Sequence, residues 1–129
     1  MEFKLTPGIE GIKEITVTSD KTAVAFGSGT LEVFATPAMI ALMEQTALES
    51  VADRIPEPYV TVGTEVSVKH FKATLPDKTV TCNSMLIQAE GMKLLFEVSA
   101  NDESGLIGKG THTRYIVDKH VFIDNLTKK

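Results

Sequence analysis

The sequence predicts an α+β domain, one long helix set against an antiparallel sheet, and three observations carry that expectation. A Thr36-Pro37 pair opens an apolar stretch with helical spacing that runs to about Arg54. Beyond it the pattern changes to a period of two through three long segments. Short turns join those segments, as in an antiparallel meander. A chain of 129 residues, 43% hydrophobic, can bury one core and is too short for two ordinary domains, so residues 1–129 are read as a single domain.

Taken in order, Ile9, Ile12, Ile15 and Val17 mark a first strand over 9–18, with polar residues between them. Ser19-Asp20-Lys21 makes a turn, residues 22–26 read as a second short strand, and Gly27-Ser28-Gly29 breaks it with a hinge or lid. Thr36 is a favoured N-cap type and Pro37 suits the first helical position. Pro56 and Pro58 stop the helix. At about 100° per residue, Ile40, Ala41, Glu44, Ala47, Leu48 and Val51 share one face, opposite Gln45, Thr46, Glu49, Ser50 and Asp53. Met39, Leu42 and Met43 make the first two turns apolar all round, which predicts burial there. Residues 59–71 form the next strand, with Thr64, Val66, Val68 and His70 on one side. Leu75-Pro76-Asp77-Lys78 turns into a strand over 79–89. Glu90-Gly91 turns into 92–100, where Met92, Leu94, Phe96, Val98 and Ala100 alternate with polar residues, and a turn over 101–105 leads to the last strand, 106–117. A helix this apolar needs a sheet curled around it.

Charge excludes several partners. Thirteen basic residues stand against 17 acidic ones, a net charge of −4, and the lysines are scattered rather than striped. That argues against nucleic acid or an anionic membrane as the main partner. Cys82 is the only cysteine, so no internal disulfide can form. Residues 1–6 show no leader, and no window approaches the roughly 18 apolar residues of a membrane span, so the expected compartment is the cytoplasm. No His, Cys and carboxylate set has a metal-ligand spacing, and there is no P-loop, GxGxxG or GxSxG, so neither a metal nor another cofactor is expected.

Glu44 is the first anomaly, a carboxylate in the centre of the apolar stripe. Such a group must be paired, hydrogen-bonded or proton-bound. It can serve structure, by bonding a backbone group or Arg114 or by reaching a solvated edge, or chemistry, as a general base or nucleophile. His70 shares a face with Val66 and Val68, where a histidine is either a satisfied core residue or a proton shuttle. Thr36 caps the helix and also places a hydroxyl at its positive end, where a carbonyl oxygen gaining charge would be stabilised. Pro37 has no N–H, so backbone donors there would come from Ala38 or Met39. His112 lies two residues from Arg114 and hence on one face with it; His120 belongs to a Lys-rich, solvated tail.

Three segments together resemble the fluoroacetyl-CoA thioesterase-like family of hotdog proteins. They are 33–44 (Val-Phe-Ala-Thr-Pro-Ala-Met, then Leu-Met-Glu at its end), 63–70 (Gly-Thr-Glu-Val-Ser-Val-Lys-His) and 108–114 (Gly-Lys-Gly-Thr-His-Thr-Arg). Their order and spacing agree over roughly residues 5–117. The resemblance implies a hotdog fold, a long helix wrapped by a curved antiparallel sheet, and a homodimer with active sites between protomers. It implies hydrolysis of a short acyl-CoA thioester. Thr36, Glu44 and His70 match the family's catalytic threonine, glutamate and histidine. Gly63 matches a glycine whose amide faces the thioester carbonyl, and Arg114 matches a basic position in the last-strand motif. The specialised enzyme carries a phenylalanine-bearing lid before the helix; residues 27–30 here are Gly-Ser-Gly-Thr. The resemblance therefore carries the catalytic core rather than the acyl group.

Geometry adds a constraint. Eight helical residues separate Thr36 from Glu44, a rise of about 12 Å. Either they act at opposite ends of the substrate, or one site takes Thr36 from one protomer and Glu44 from its partner. Two other activities remain open to the fold: a hydratase or dehydratase acting on the acyl chain, and an acyl-CoA sensor that binds without reacting. Lys69, Lys72 and Arg114 are candidate contacts for coenzyme A phosphates.

Overall fold

A computed structural model describes residues 3–128; Met1 and Glu2, the head of the segment scanned for a leader, and Lys129 lie outside the described residues. The chain runs β1 (Glu10–Thr16), α1 (Ala23–Phe26), α2 (Thr36–Ala52), β2 (Tyr59–His70), β3 (Thr79–Glu90), β4 (Lys93–Asp102), β5 (Gly105–Asp118) and α3 (Lys119–Thr127). The strands form one antiparallel sheet in the order β1-β3-β4-β5-β2. Helix α2 lies against one face of it, touching β1, β2, β3 and β4. This is the helix-in-sheet arrangement that the resemblance implies.

The core forms between the sheet's inner face and α2. Val80, Cys82 and Leu86 on β3, Leu94, Phe96, Val98 and Ala100 on β4, and Ile107 and Ile116 on β5 are buried against Met39, Leu42, Met43, Ala47 and Val51. Those helix positions recur at three and four residues, so they define the buried stripe. It is not the stripe read from the sequence. Ile40, Ala41, Glu44 and Leu48 lie to one side, half-buried or exposed, with Leu48 37% exposed and the Glu44 side chain 40% exposed. The wheel was centred one position too far round, because Met39, Leu42 and Met43 spread apolar groups on both sides of it.

Three further elements differ from expectation. Residues 23–26 form a single helical turn instead of a strand, with Thr22 as N-cap accepting from Ala25 N–H at 3.3 Å. A four-residue apolar run does not distinguish the two by periodicity. The N-cap of α2 is Ala35, and Thr36 is its first helical residue, which frees the Thr36 hydroxyl for another partner. The tail is helical: Asp118 caps α3 by accepting from the amides of His120 and Val121.

One irregularity positions the site. In β2, Gly63 pairs with Arg114 and Val66 with His112, with a β-bulge at Thr64 between them. Side chains alternate faces along a strand, so Gly63 and His70, an odd number of residues apart, would face opposite sides of a regular sheet. The extra residue reverses that parity. Thr61 and Gly63 before the bulge, and Val66, Val68 and His70 after it, all face α2.

Candidate active site

The expected site residues fall into two clusters, one at each end of the edge strand β2. At the N-terminus of α2, the Thr36 hydroxyl Oγ1 lies 2.8 Å from His70 Nδ1. His70 is half-buried with its ring edge-on to Phe34, and its Nε2 is buried with no hydrogen-bond partner. Burial holds this imidazole below its ordinary value, with the Lys72 backbone opposing the shift, so the ring is neutral at pH 7. Met39 N–H is bonded to the Ala35 carbonyl within the first turn, so of the two amides expected there as donors only that of Ala38 has no backbone partner. A cavity of about 340 Å³ opens here, lined by Ala23, Val33, Phe34, Thr36, His70 and Phe71.

The second cluster gathers Glu44, Gly63, Thr61, His112 and Arg114. Gly63 is where the backbone of β2 comes closest to the α2 carboxylate: a Cβ added there would sit 2.7 Å from Glu44 Oε2. Only glycine lets the carboxylate occupy that place. Arg114 is buried, and its guanidinium is held on three sides. Nε donates to Thr61 Oγ1 (2.8 Å), Nη2 to the Thr61 carbonyl (2.9 Å) and Nη1 to His112 Nε2 (3.1 Å), while Nη1 faces Glu44 Oε2 at 4.0 Å. The guanidinium is thus tied inward, with its free edge turned to the Glu44 carboxylate. Burial lowers the Arg114 pKa and Glu44 pushes it back up. Lys72 is drawn to the 101–105 turn, donating to Ser104 Oγ at 2.8 Å.

Sequence reasoning placed His112 beside Arg114 but gave it no partner, and it passed over Thr61. Alternation with Arg114 was the available signal for both, since Thr61 faces α2 from the paired strand. A larger groove, about 770 Å³, crosses the outer face of the sheet between Lys69, Lys109 and Glu97, and Phe71 lines both it and the first cavity. No group of three metal-ligating side chains, and no helix long and apolar enough to cross a membrane, occurs among the described residues.

Within the chain the two clusters stay apart, at opposite ends of the first two turns of α2. One offers a neutral imidazole with a hydroxyl and a free amide; the other offers a carboxylate steered by an arginine. Together they supply what acyl transfer to water needs: an oxygen nucleophile, a proton carrier and donors for the carbonyl oxygen.

Comparison with known proteins agrees with that chemistry. A family model described as fluoroacetyl-CoA-specific thioesterase matches residues 17–120. The fluoroacetyl-CoA thioesterase of Streptantibioticus cattleyicolor is 37% identical over 98 residues, which are 76% of this chain and 70% of that protein. A solved structure of the fluoroacetyl-CoA thioesterase FlK superposes with a TM-score of 0.92 at 30% identity, covering 97% of each chain. A threonine-to-serine variant of FlK in complex with acetyl-CoA gives 0.91 at 29% identity, over 96% of this chain and 98% of that one. A Thermus thermophilus protein described as a thioesterase superfamily member gives 0.86 at 26% identity, over 95% and 90%.

Proposed function

Since the chain belongs to the fluoroacetyl-CoA-specific thioesterase family and is an acyl-CoA thioesterase of hotdog fold, we propose that its Thr36–His70 pair and its Glu44 carboxylate form one active site across a homodimer. The supporting observation is their separation within a chain whose long edge strand is unpaired. Strand β2, 12 residues, is an edge of the sheet with a row of free backbone groups. Antiparallel pairing of β2 with its copy about a two-fold axis near Val66 and Ser67 sets His70 of one chain beside Gly63 of the other. That brings Thr36 and His70 to the second copy's Glu44. The half-exposed apolar side chains of Ile40 and Leu48 beside Glu44 would be covered by the same contact.

In the joint site Glu44 delivers the attacking oxygen, its own or that of a water it deprotonates. The thioester carbonyl oxygen gathers charge against the backbone amide of Gly63 and the N-terminal end of α2. His70, held through Nδ1 by Thr36, has Nε2 free to manage the proton of the departing coenzyme A thiol. The substrate class is a short-chain acyl-CoA.

Mixing two inactive chains tests the shared site. Glu44→Ala and His70→Ala homodimers should each release little thiol from an acyl-CoA panel. After unfolding and refolding them together at equal amounts, half the dimers are mixed, and each carries one intact site. Activity should return to about a quarter of the parent value. No recovery in a mixture shown to contain heterodimers would refute the arrangement.

A further inference from the structure

We infer that His112 is a positioning residue for this reaction, a neutral imidazole whose Nε2 lone pair holds the Arg114 guanidinium turned toward the Glu44 carboxylate. This rests on the reading of Glu44 as the reacting carboxylate.

The tautomer follows from the partners. The Glu65 carbonyl can only accept, so His112 Nδ1, 2.8 Å away, carries a hydrogen. Arg114 can only donate, so His112 Nε2, 3.1 Å from Nη1, carries none. A ring so bonded is neutral. A second proton on Nε2 would set N–H against N–H beside a permanent cation. The ring is also locked in place: His112 is 1% exposed and stacks on Phe96 with centroids 6.4 Å apart. Burial lowers its pKa; the Glu65 carbonyl and Glu44 oppose that shift while Arg114 reinforces it.

Each neighbouring element contributes to this arrangement. Strand β2 supplies the Glu65 carbonyl, freed beside the Thr64 bulge, and Thr61, which takes Nε and Nη2 of the guanidinium. Strand β4 supplies Phe96 and α2 supplies Glu44. The guanidinium is a rigid plane, so the hold of Thr61 on Nε and Nη2 sets its direction, and His112 accepts from the remaining nitrogen, Nη1, which also faces Glu44. Without an acceptor at that place, Nη1 would be left to seek Glu44 alone, at 4.0 Å, and the carboxylate would be drawn away from its position against Gly63.

The experiment compares His112→Phe, which keeps ring volume and the stack on Phe96, with His112→Gln, whose amide oxygen can accept from Arg114. Steady-state thiol release is measured on the parent enzyme's best acyl-CoA. His112→Phe should lower kcat at least tenfold with KM within about twofold, because the ring is buried and both its nitrogens are taken up by the protein. His112→Gln should recover most of that loss. In an Arg114→Met background, His112→Phe should have no further effect on kcat. A folded His112→Phe that loses only melting temperature, or an effect that persists in full without Arg114, overturns the inference. Should that variant not fold, imidazole 15N NMR of the parent protein at pH 7 decides: an unprotonated Nε2 supports it and a protonated one overturns it. Glu44→Gln is run alongside. If it stays active, the reading of the site has failed; if it is inactive while His112→Phe keeps its kcat, this inference alone has failed.

Discussion

Gly63→Ala isolates the position of one carboxylate. The new Cβ would lie 2.7 Å from Glu44 Oε2, 3.1 Å from His112 Cε1 and 3.2 Å from Arg114 Nη1, against the 3.4 Å at which ordinary contact begins. The carboxylate must recede by about 0.7 Å, whereas the other two need give only about 0.2–0.3 Å. Glu44 is the end of a flexible, half-exposed side chain, so the fold can absorb the change by moving it. Alanine also restricts the unfolded chain, a gain of about 0.4–1 kcal/mol that works against the strain. Net stability should stay within about 1 kcal/mol of the parent. Catalysis is less tolerant: a displacement near 1 Å at a reacting group costs about a hundredfold in rate. We expect kcat to fall by about ten- to a hundredfold, a barrier increase of about 1.4–2.7 kcal/mol. Thiol release at saturating acyl-CoA reads the rate, and a melting curve on the same sample reads the fold. Glu44→Asp withdraws the carboxylate by one methylene, so Gly63→Ala should cost less in that background. A folded Gly63→Ala enzyme with kcat within twofold of the parent would refute the argument that this glycine exists to admit Glu44.

Two other expectations concern stability. His70 and His112 are both held neutral by burial below the ordinary imidazole value of 6.5, so the unfolded chain takes up their protons first as the pH falls. Their contribution is complete above about pH 6.5 and is lost below it, so the melting temperature should drop between pH 7.5 and 5.5, less steeply in His112→Gln; a flat profile would contradict their burial. Gly108→Ala would put a Cβ 2.8 Å from the Lys69 carbonyl and 2.6 Å from Met39 Sδ, where the backbone cannot yield. It should cost about 1–3 kcal/mol in urea denaturation, and an unchanged midpoint would show that β5 and α2 are less tightly apposed than described.

Much of this molecule is legible in its sequence, for identifiable reasons. The β3-β4-β5 meander could be read because its turns are short and the period of two holds along β4 and most of β3, although β5 buries Ile107 with Gly108 and His112 through Arg114 in succession. Helix α2 was visible from Thr36-Pro37, yet its orientation was not. Apolar side chains at Met39, Ile40, Leu42, Met43 and Leu48 nearly encircle it, and no single stripe stands out. That ambiguity misplaced Glu44 in the core, when it stands at the core's margin. The capping role read for Thr36 was a local rule overridden by a partner 34 residues away, His70. The Thr64 bulge left no mark in the composition, and with it went the means to see that Gly63 and His70 share a face. The three-sided grip on Arg114 was hidden for the same reason, since it depends on pairing between β2 and β5.

The extra residue at Thr64 also constrains how such a chain can change across generations. A single-residue insertion or deletion elsewhere between Gly63 and His70 would turn one cluster to the outer face while leaving every side chain chemically intact. Such a change would be silent in composition and fatal to the reaction. Among descendants of this enzyme, the count from that glycine to that histidine is therefore inherited as a unit.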